Sequence, residues 1–113
     1  NINPILFDLD KYYINSKAAK ELKKVYVALM KYPEIKIEIS SHTDSRGSNE
    51  YNQKLSINRA NETKSWLVKR GIDPSRLITN GFGEFDLENY CNDNIECEED
   101  EHQANRRSVF TIR

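Results

Sequence analysis

The chain has 113 residues, of which 37% are hydrophobic and 31% charged, with a formal net charge of −1. That length fits a single domain over 1–113, with a core that needs neither a metal nor many crosslinks. The charge balance argues against a general nucleic-acid binder, which carries a basic excess, and no apolar run approaches the roughly 18 residues needed to cross a bilayer.

No signal peptide opens the chain. It begins at Asn1 just ahead of Pro4 and an apolar run, as a domain excised from a larger protein would. Ile5-Leu6-Phe7 reads as a strand ending near Leu9. Asn15 or Ser16 then caps a helix, whose inner face carries Ala18, Leu22, Val25 and Leu29 at spacings of four, three and four. Pro33 ends it. Ile35, Ile37 and Ile39 alternate with Lys36, Glu38 and Ser40, the period of a half-buried strand. That strand runs into Ser41-His42-Thr43-Asp44, and Gly47 supplies a turn.

A second helix is predicted over 48–69, with Leu55, Ala60, Thr63 and Leu67 inward and Trp66 on the flank. Gly71 is a helix-ending residue. A third strand follows at 76–79 and closes at Gly81-Phe82-Gly83. Residues 84–103 read as a long loop or a short helical turn, a length that in compact domains is functional or crosslinked. The last strand is predicted at 108–112. The order is βαβαβ, loop, β: an α+β sandwich with the helices packed on one face of a mixed sheet.

Cys91 and Cys97 lie close together in a polar, acidic segment. A local disulfide is the natural reading. It implies an oxidising compartment and contributes roughly 2–3 kcal/mol by chain entropy; two free thiols in a cytosolic loop are the alternative. Cys91, Cys97 and His102 with Glu98 or Asp100 could ligate zinc, but spacings of six and five match no common zinc module. Residues 92–96 are rich in oxygen donors but lack the glycine turn of a calcium loop. A solvated acidic loop is the expectation, with no metal and no cofactor.

The densest polar cluster runs from His42 to Arg59. Asp44 falls just past a strand end. Asn52 and Arg59 are seven apart, two turns along one helical face, with Leu55 and Ser56 between them. An acid, an amide and an arginine converging on one edge suit a zwitterion, the acid taking an ammonium and the arginine gripping a carboxylate through paired bonds. Spacing leaves a local reading open, in which Asp44 caps the helix and Arg59 pairs with Glu62 or stays solvated. Catalysis is not expected: His42 and Asp44 share a strand face, but Ser40, Ser41 and Ser45 are nucleophile candidates by adjacency only, and no nucleophile elbow surrounds them. Tyr12, Tyr13 and Tyr51 could form a surface patch for a protein partner.

Ser41-His42-Thr43-Asp44-Ser45-Arg46-Gly47, followed by Tyr51-Asn52-Gln53-Lys54-Leu55-Ser56-Ile57-Asn58-Arg59-Ala60, resembles the signature of OmpA-like C-terminal domains. Three further segments are similar in the same order: Phe7-Asp8-Leu9-Asp10-Lys11, Gly81-Phe82-Gly83-Glu84, and Asn105-Arg106-Arg107 before an apolar strand. The resemblance implies non-covalent binding of peptidoglycan through the meso-diaminopimelate of its stem peptides. Carried over by position, it implies that Asp44 takes the ammonium and Arg59 the carboxylate. Asn52, Leu55 and the Thr43 backbone would line the pocket, Asp8 and Asp10 would close it, and Arg106 would approach the carboxylate from the start of the last strand.

The chain departs from the family pattern where Phe85-Asp86-Leu87 replaces a frequent proline, and in a longer loop carrying both cysteines. The resemblance further implies a periplasmic location, with attachment to the outer membrane through a membrane-anchored parent and envelope proteins as further partners. An envelope interaction module of the same fold without wall binding is the alternative.

Overall fold

The computed structural model describes residues 3–44, 46, 48–83 and 97–113. Strand β1 is Ile5–Leu6, helix α1 Ser16–Lys31, strand β2 Ile37–Ser41, helix α2 Asn49–Val68, strand β3 Leu77–Gly81, helix α3 Glu99–Gln103 and strand β4 Arg107–Ile112. The strands form one mixed sheet in the order β1-β4-β2-β3. β2 and β3 run parallel, whereas β4 is antiparallel to both β2 and β1. The expected α+β arrangement is therefore present.

Local chemistry sets the boundaries. The first strand is shorter than expected, because Asp8-Leu9-Asp10 turns the chain: Lys11 N donates to Asp8 O at 3.1 Å, and Asp10 takes φ +58°. A short polar side chain tolerates that left-handed conformation better than most. Asn15, not Ser16, caps α1, its Oδ1 accepting from Ala18 N at 2.8 Å. The helix stops at Lys31 because Pro33 disfavours helical backbone at Tyr32, which sits at φ −122°, ψ 79°. Ser48 caps α2 through Tyr51 N at 3.1 Å, and Gly71 beyond its end takes φ +106°. A 3-10 turn at Pro74–Arg76 holds Arg76, so the third strand begins at Leu77.

The core lies between the helices and the sheet. Leu22, Val25, Leu29, Ile37, Ile39 and Leu67 are almost fully buried there with Ile5, Phe7 and Ile72. Each such side chain contributes roughly 1.5–3 kcal/mol by leaving water. The four predicted inner positions of α1 are all buried. Helix α2 divides its inner face in two. Ala60 and Leu67 join the core, whereas Asn52, Ser56 and Arg59 are buried polar residues in its first half. That polar half abuts the end of β2.

Among the described residues no helix is long and apolar enough to cross a membrane. Cys97 is disulfide-bonded, which removes its thiolate as a metal ligand. Cys91 and the oxygen-rich stretch 92–96 lie outside the described residues, as does the turn expected at Gly47. The segment 84–103, read as loop or short turn, ends in helix α3.

Candidate functional site

β2 delivers the chain to the site. Beyond Ser41, His42 N bonds Arg107 O at 2.8 Å and Thr43 N bonds Gly83 O at 2.8 Å, so His42-Thr43-Asp44 stays extended between the ends of β4 and β3. The Gly81-Phe82-Gly83 corner is fastened to α2, with Gln53 Nε2 donating to Gly81 O at 2.7 Å and Gly83 N donating to Ser56 Oγ at 2.8 Å. A Cβ on Gly81 would lie 2.7 Å from Ile57 N and from Ser56 Oγ, so only glycine allows this approach. The corner thereby fixes the distance between the strand that carries Asp44 and the helix that carries Asn52, Leu55 and Arg59.

These residues line one narrow cleft of about 160 Å³, with Leu9, Asp10, Thr43, Arg46 and Arg106. In this state the cleft is shut, with no water-sized void inside. The Asp44 carboxylate accepts from Arg46 N at 3.0 Å, Arg46 Nη2 at 2.8 Å and Arg106 Nη1 at 3.1 Å. Burial pushes the Asp44 carboxyl up, but the bonds from Arg46 and Arg106 outweigh it and hold it below the usual carboxylate range. It is an anion here. Thr43 Oγ1 at 2.9 Å and Asn52 Nδ2 at 3.4 Å both reach the Asp44 carbonyl, which orients the acid from behind.

Arg59 is fully buried. Its Nε donates to Lys11 O at 2.8 Å, Nη1 to His42 O at 2.9 Å and Nη2 to Asp8 O at 3.1 Å, and its guanidinium lies 5.0 Å from the centre of the Phe7 ring. Burial and the neighbouring Arg106 push it down to about 10, which leaves it charged at neutral pH. The local reading of Arg59 as solvated or paired with Glu62 is overturned: one guanidinium ties the 8–11 turn to the end of β2. Three of its five N–H groups make those bonds. That leaves one N–H on each Nη without a bond among the described residues, a fork on the cleft.

Arg106 stands just before β4 rather than within it. It donates Nε to Phe7 O at 2.7 Å, Nη1 to Asp44 and Nη2 to Glu99 Oε2 at 2.7 Å. Asp10 lines the cleft and accepts from Tyr51 Oη at 3.1 Å. Asp8 departs from expectation. Its carboxylate does not line the cleft but accepts from Tyr13 Oη at 2.6 Å, and what it offers the site is its backbone carbonyl to Arg59. Tyr13 and Tyr51, weighed as a partner patch, thus hold the two acids of the first turn. His42 stacks on Phe82 with ring centroids 5.4 Å apart, rather than backing Asp44 as a base.

Two contributors escaped the sequence reading. Arg46 sits in the quoted motif yet was given no role. Glu99 bridges Arg46 Nη2 at 3.0 Å and Arg106 Nη2 at 2.7 Å, and those two arginines hold its carboxyl below the usual range, Arg106 most. Its spacing of seven from Arg106 was the available signal. Around the cleft, Asp10, Asp44 and Glu99 balance Arg46, Arg59 and Arg106. A near-neutral site with separated acid and base poles can hold a molecule carrying both charges.

Comparison with known proteins places the chain among envelope domains. The OmpA family model matches residues 6–103. Outer membrane porin F of Pseudomonas fluorescens is 40% identical over 80 residues, 71% of this chain and 24% of the porin. The peptidoglycan-associated lipoprotein of Buchnera aphidicola is 35% identical over 108 residues, 96% of this chain and 60% of the lipoprotein. The chain thus spans between a quarter and three-fifths of these two relatives. Among solved structures, the peptidoglycan-associated lipoprotein from Burkholderia pseudomallei superposes with a TM-score of 0.87 at 24% identity, covering 97% of this chain and 89% of that one. The C-terminal domain of Helicobacter pylori MotB gives 0.86 at 20% identity, covering 100% and 85%. At such identities these likenesses establish the fold.

Proposed function

The chain belongs to the OmpA family, and from that premise we propose that it is a non-enzymatic module that grips peptidoglycan through the meso-diaminopimelate end of uncrosslinked stem peptides. The observation that carries the reading is the cleft at the end of β2, where Asp44, Arg59 and Arg106 meet from three distant parts of the chain. A diaminopimelate side-chain end bears an ammonium and a carboxylate on one carbon. Asp44 takes the ammonium. The fork left on Arg59 and the outer edge of Arg106 take the carboxylate. Asn52 and the Thr43 backbone hold Asp44 in place, Leu55 packs on the aliphatic stem, and Asp10 closes the first-turn side.

Each charge-assisted bond of this kind contributes on the order of 1.5–3 kcal/mol when shielded. One small pocket gives weak binding, and many copies facing a repeating polymer raise it by avidity. The proposed role is a tether at the periplasmic face of the envelope, attached to the outer membrane through a larger parent protein. Two relatives named as peptidoglycan-associated or as an outer membrane porin support that setting. No reaction is part of the proposal. Envelope proteins remain a second class of partner for the same parent.

The test is cosedimentation of the chain with purified sacculi from a diaminopimelate-containing wall, with free meso-diaminopimelate as competitor. Saturable pelleting that the free amino acid reverses is expected, with no soluble muropeptides released. Pelleting that ignores the competitor would reject the pocket, and release of muropeptides would favour a hydrolase.

A further inference from the structure

The shut cleft poses a physical question, since Arg59 and its neighbours cannot meet a ligand until something yields. Asp44 and Arg106 have side chains only 4% exposed, and the groups covering them are Arg46, at 39%, and Glu99, at 58%. Arg46 holds the Asp44 carboxylate at 2.8 Å, Glu99 holds Arg106 at 2.7 Å, and the two close on each other at 3.0 Å. Their charges repeat those of the proposed ligand. A cation rests on the acid and a carboxylate rests on the arginine.

We propose that the Arg46–Glu99 pair is a built-in mimic of the ligand head, which covers the cleft in the free domain and is exchanged for the ligand group by group. The proposal rests on the cleft reading above and names what regulates it. Incoming ammonium replaces Arg46 on Asp44, and incoming carboxylate replaces Glu99 on Arg106. The buried Asp44–Arg106 pair stays intact throughout. The count of buried ion pairs is conserved, and the released Arg46 and Glu99 are the members already nearest water, where an ion pair contributes little and opens easily. The apparent affinity falls by the fraction of molecules in which the cover is open. Glu99 therefore sets affinity for ligands that bring a carboxylate. A ligand that brings only an ammonium has nothing with which to displace it.

The experiment is calorimetric titration of the 113-residue chain, Glu99→Gln and Glu99→Ala with two tripeptides, one ending in meso-diaminopimelate and the other in lysine. Far-UV circular dichroism confirms that each variant is folded. Both variants are expected to bind the diaminopimelate peptide roughly threefold to fivefold more tightly than the unaltered chain, the scale of one exposed ion pair, with no gain for the lysine peptide. Unchanged or weaker binding of the diaminopimelate peptide by both variants, with the unaltered chain still binding, overturns the mimic alone and makes Glu99 a support for Arg106. An equal gain for both peptides overturns the carboxylate exchange. Failure of the unaltered chain and both variants to bind either peptide overturns the cleft reading, and the mimic with it.

Discussion

Asp44 and Arg106 stand 62 residues apart in the chain and meet at 3.1 Å, each with a side chain only 4% exposed. Pairs this deep are weak evidence of stability when intact but costly to break from one side, because the surviving charge is left buried. Replacing Asp44 by Asn leaves Arg106 with Glu99 alone. We expect Asp44→Asn to lower unfolding stability by about 3 kcal/mol, read from urea melts. Cosedimentation with sacculi should fall to background at a temperature where circular dichroism shows the variant folded. Full binding by the folded variant would remove Asp44 from the site.

Arg59→Lys keeps the charge but replaces a planar fork with a point donor. Three backbone carbonyls, those of Asp8, Lys11 and His42, cannot all be reached by one ammonium in the same geometry. A loss of about 2–4 kcal/mol is expected from carbonyls left without donors, again from urea melts. Amide hydrogen exchange should accelerate first in the 8–11 turn. Wild-type stability in this variant would show that charge, not the fork, is what the position needs.

Acid should weaken the domain. Burial opposes ionisation of Asp44, but Arg46 and Arg106 prevail and its folded value lies below 3.8; Arg106 and Arg46 hold Glu99 below 4.5. For a carboxyl depressed in the folded state, the unfolded chain takes up protons first as pH falls, so the stabilisation is complete above those ordinary values and is lost as pH drops through the depressed ones. Urea midpoints should agree at pH 7 and about pH 6 and then decline below about pH 4. The double variant Asp44→Asn, Glu99→Gln should show a flatter profile. An unchanged slope in that variant would assign the acid sensitivity to other groups.

Gly81→Ala tests the corner that spaces Asp44 from helix α2. The new methyl meets backbone at Ile57 N, 2.7 Å away, which cannot rotate aside as a side-chain tip can. We expect a loss of about 1–3 kcal/mol from overpacking, together with reduced sacculus binding by the fraction still folded. Normal binding would mean that the cleft tolerates a shift between β3 and α2.

Intact mass under non-reducing conditions should fall about 2 Da below the reduced value if Cys91 is the partner of Cys97, since two thiol hydrogens are lost on bridging. Two alkylatable thiols in the untreated chain would reject the pairing.

Much of the fold was legible because it rests on local periodicity. Ala18, Leu22, Val25 and Leu29 sit at helical spacing and all four are buried; Ile37 and Ile39 alternate and face the core. What escaped depends on the backbone. The early end of β1 follows from a left-handed Asp10, and no residue pattern announces that conformation at an aspartate. The bonds of Arg59 run to carbonyl oxygens, which every residue owns, so sequence names no partner for it. Asp8 was read as a pocket wall from its charge, but Tyr13 five residues on claims its carboxylate. Glu99 lies in the acidic run Glu98-Glu99-Asp100-Glu101, and only the fold singles it out.

The three carbonyl bonds of Arg59 also carry a lesson for genetics. Because one side chain both splices the first turn to the central strand and faces the cleft, alleles at this position would reduce protein abundance and wall attachment together. A screen that scores attachment in cells would recover them readily and misassign the cause. Separation-of-function alleles are better sought at Leu55, where the side chain lines the cleft but fastens no distant segment.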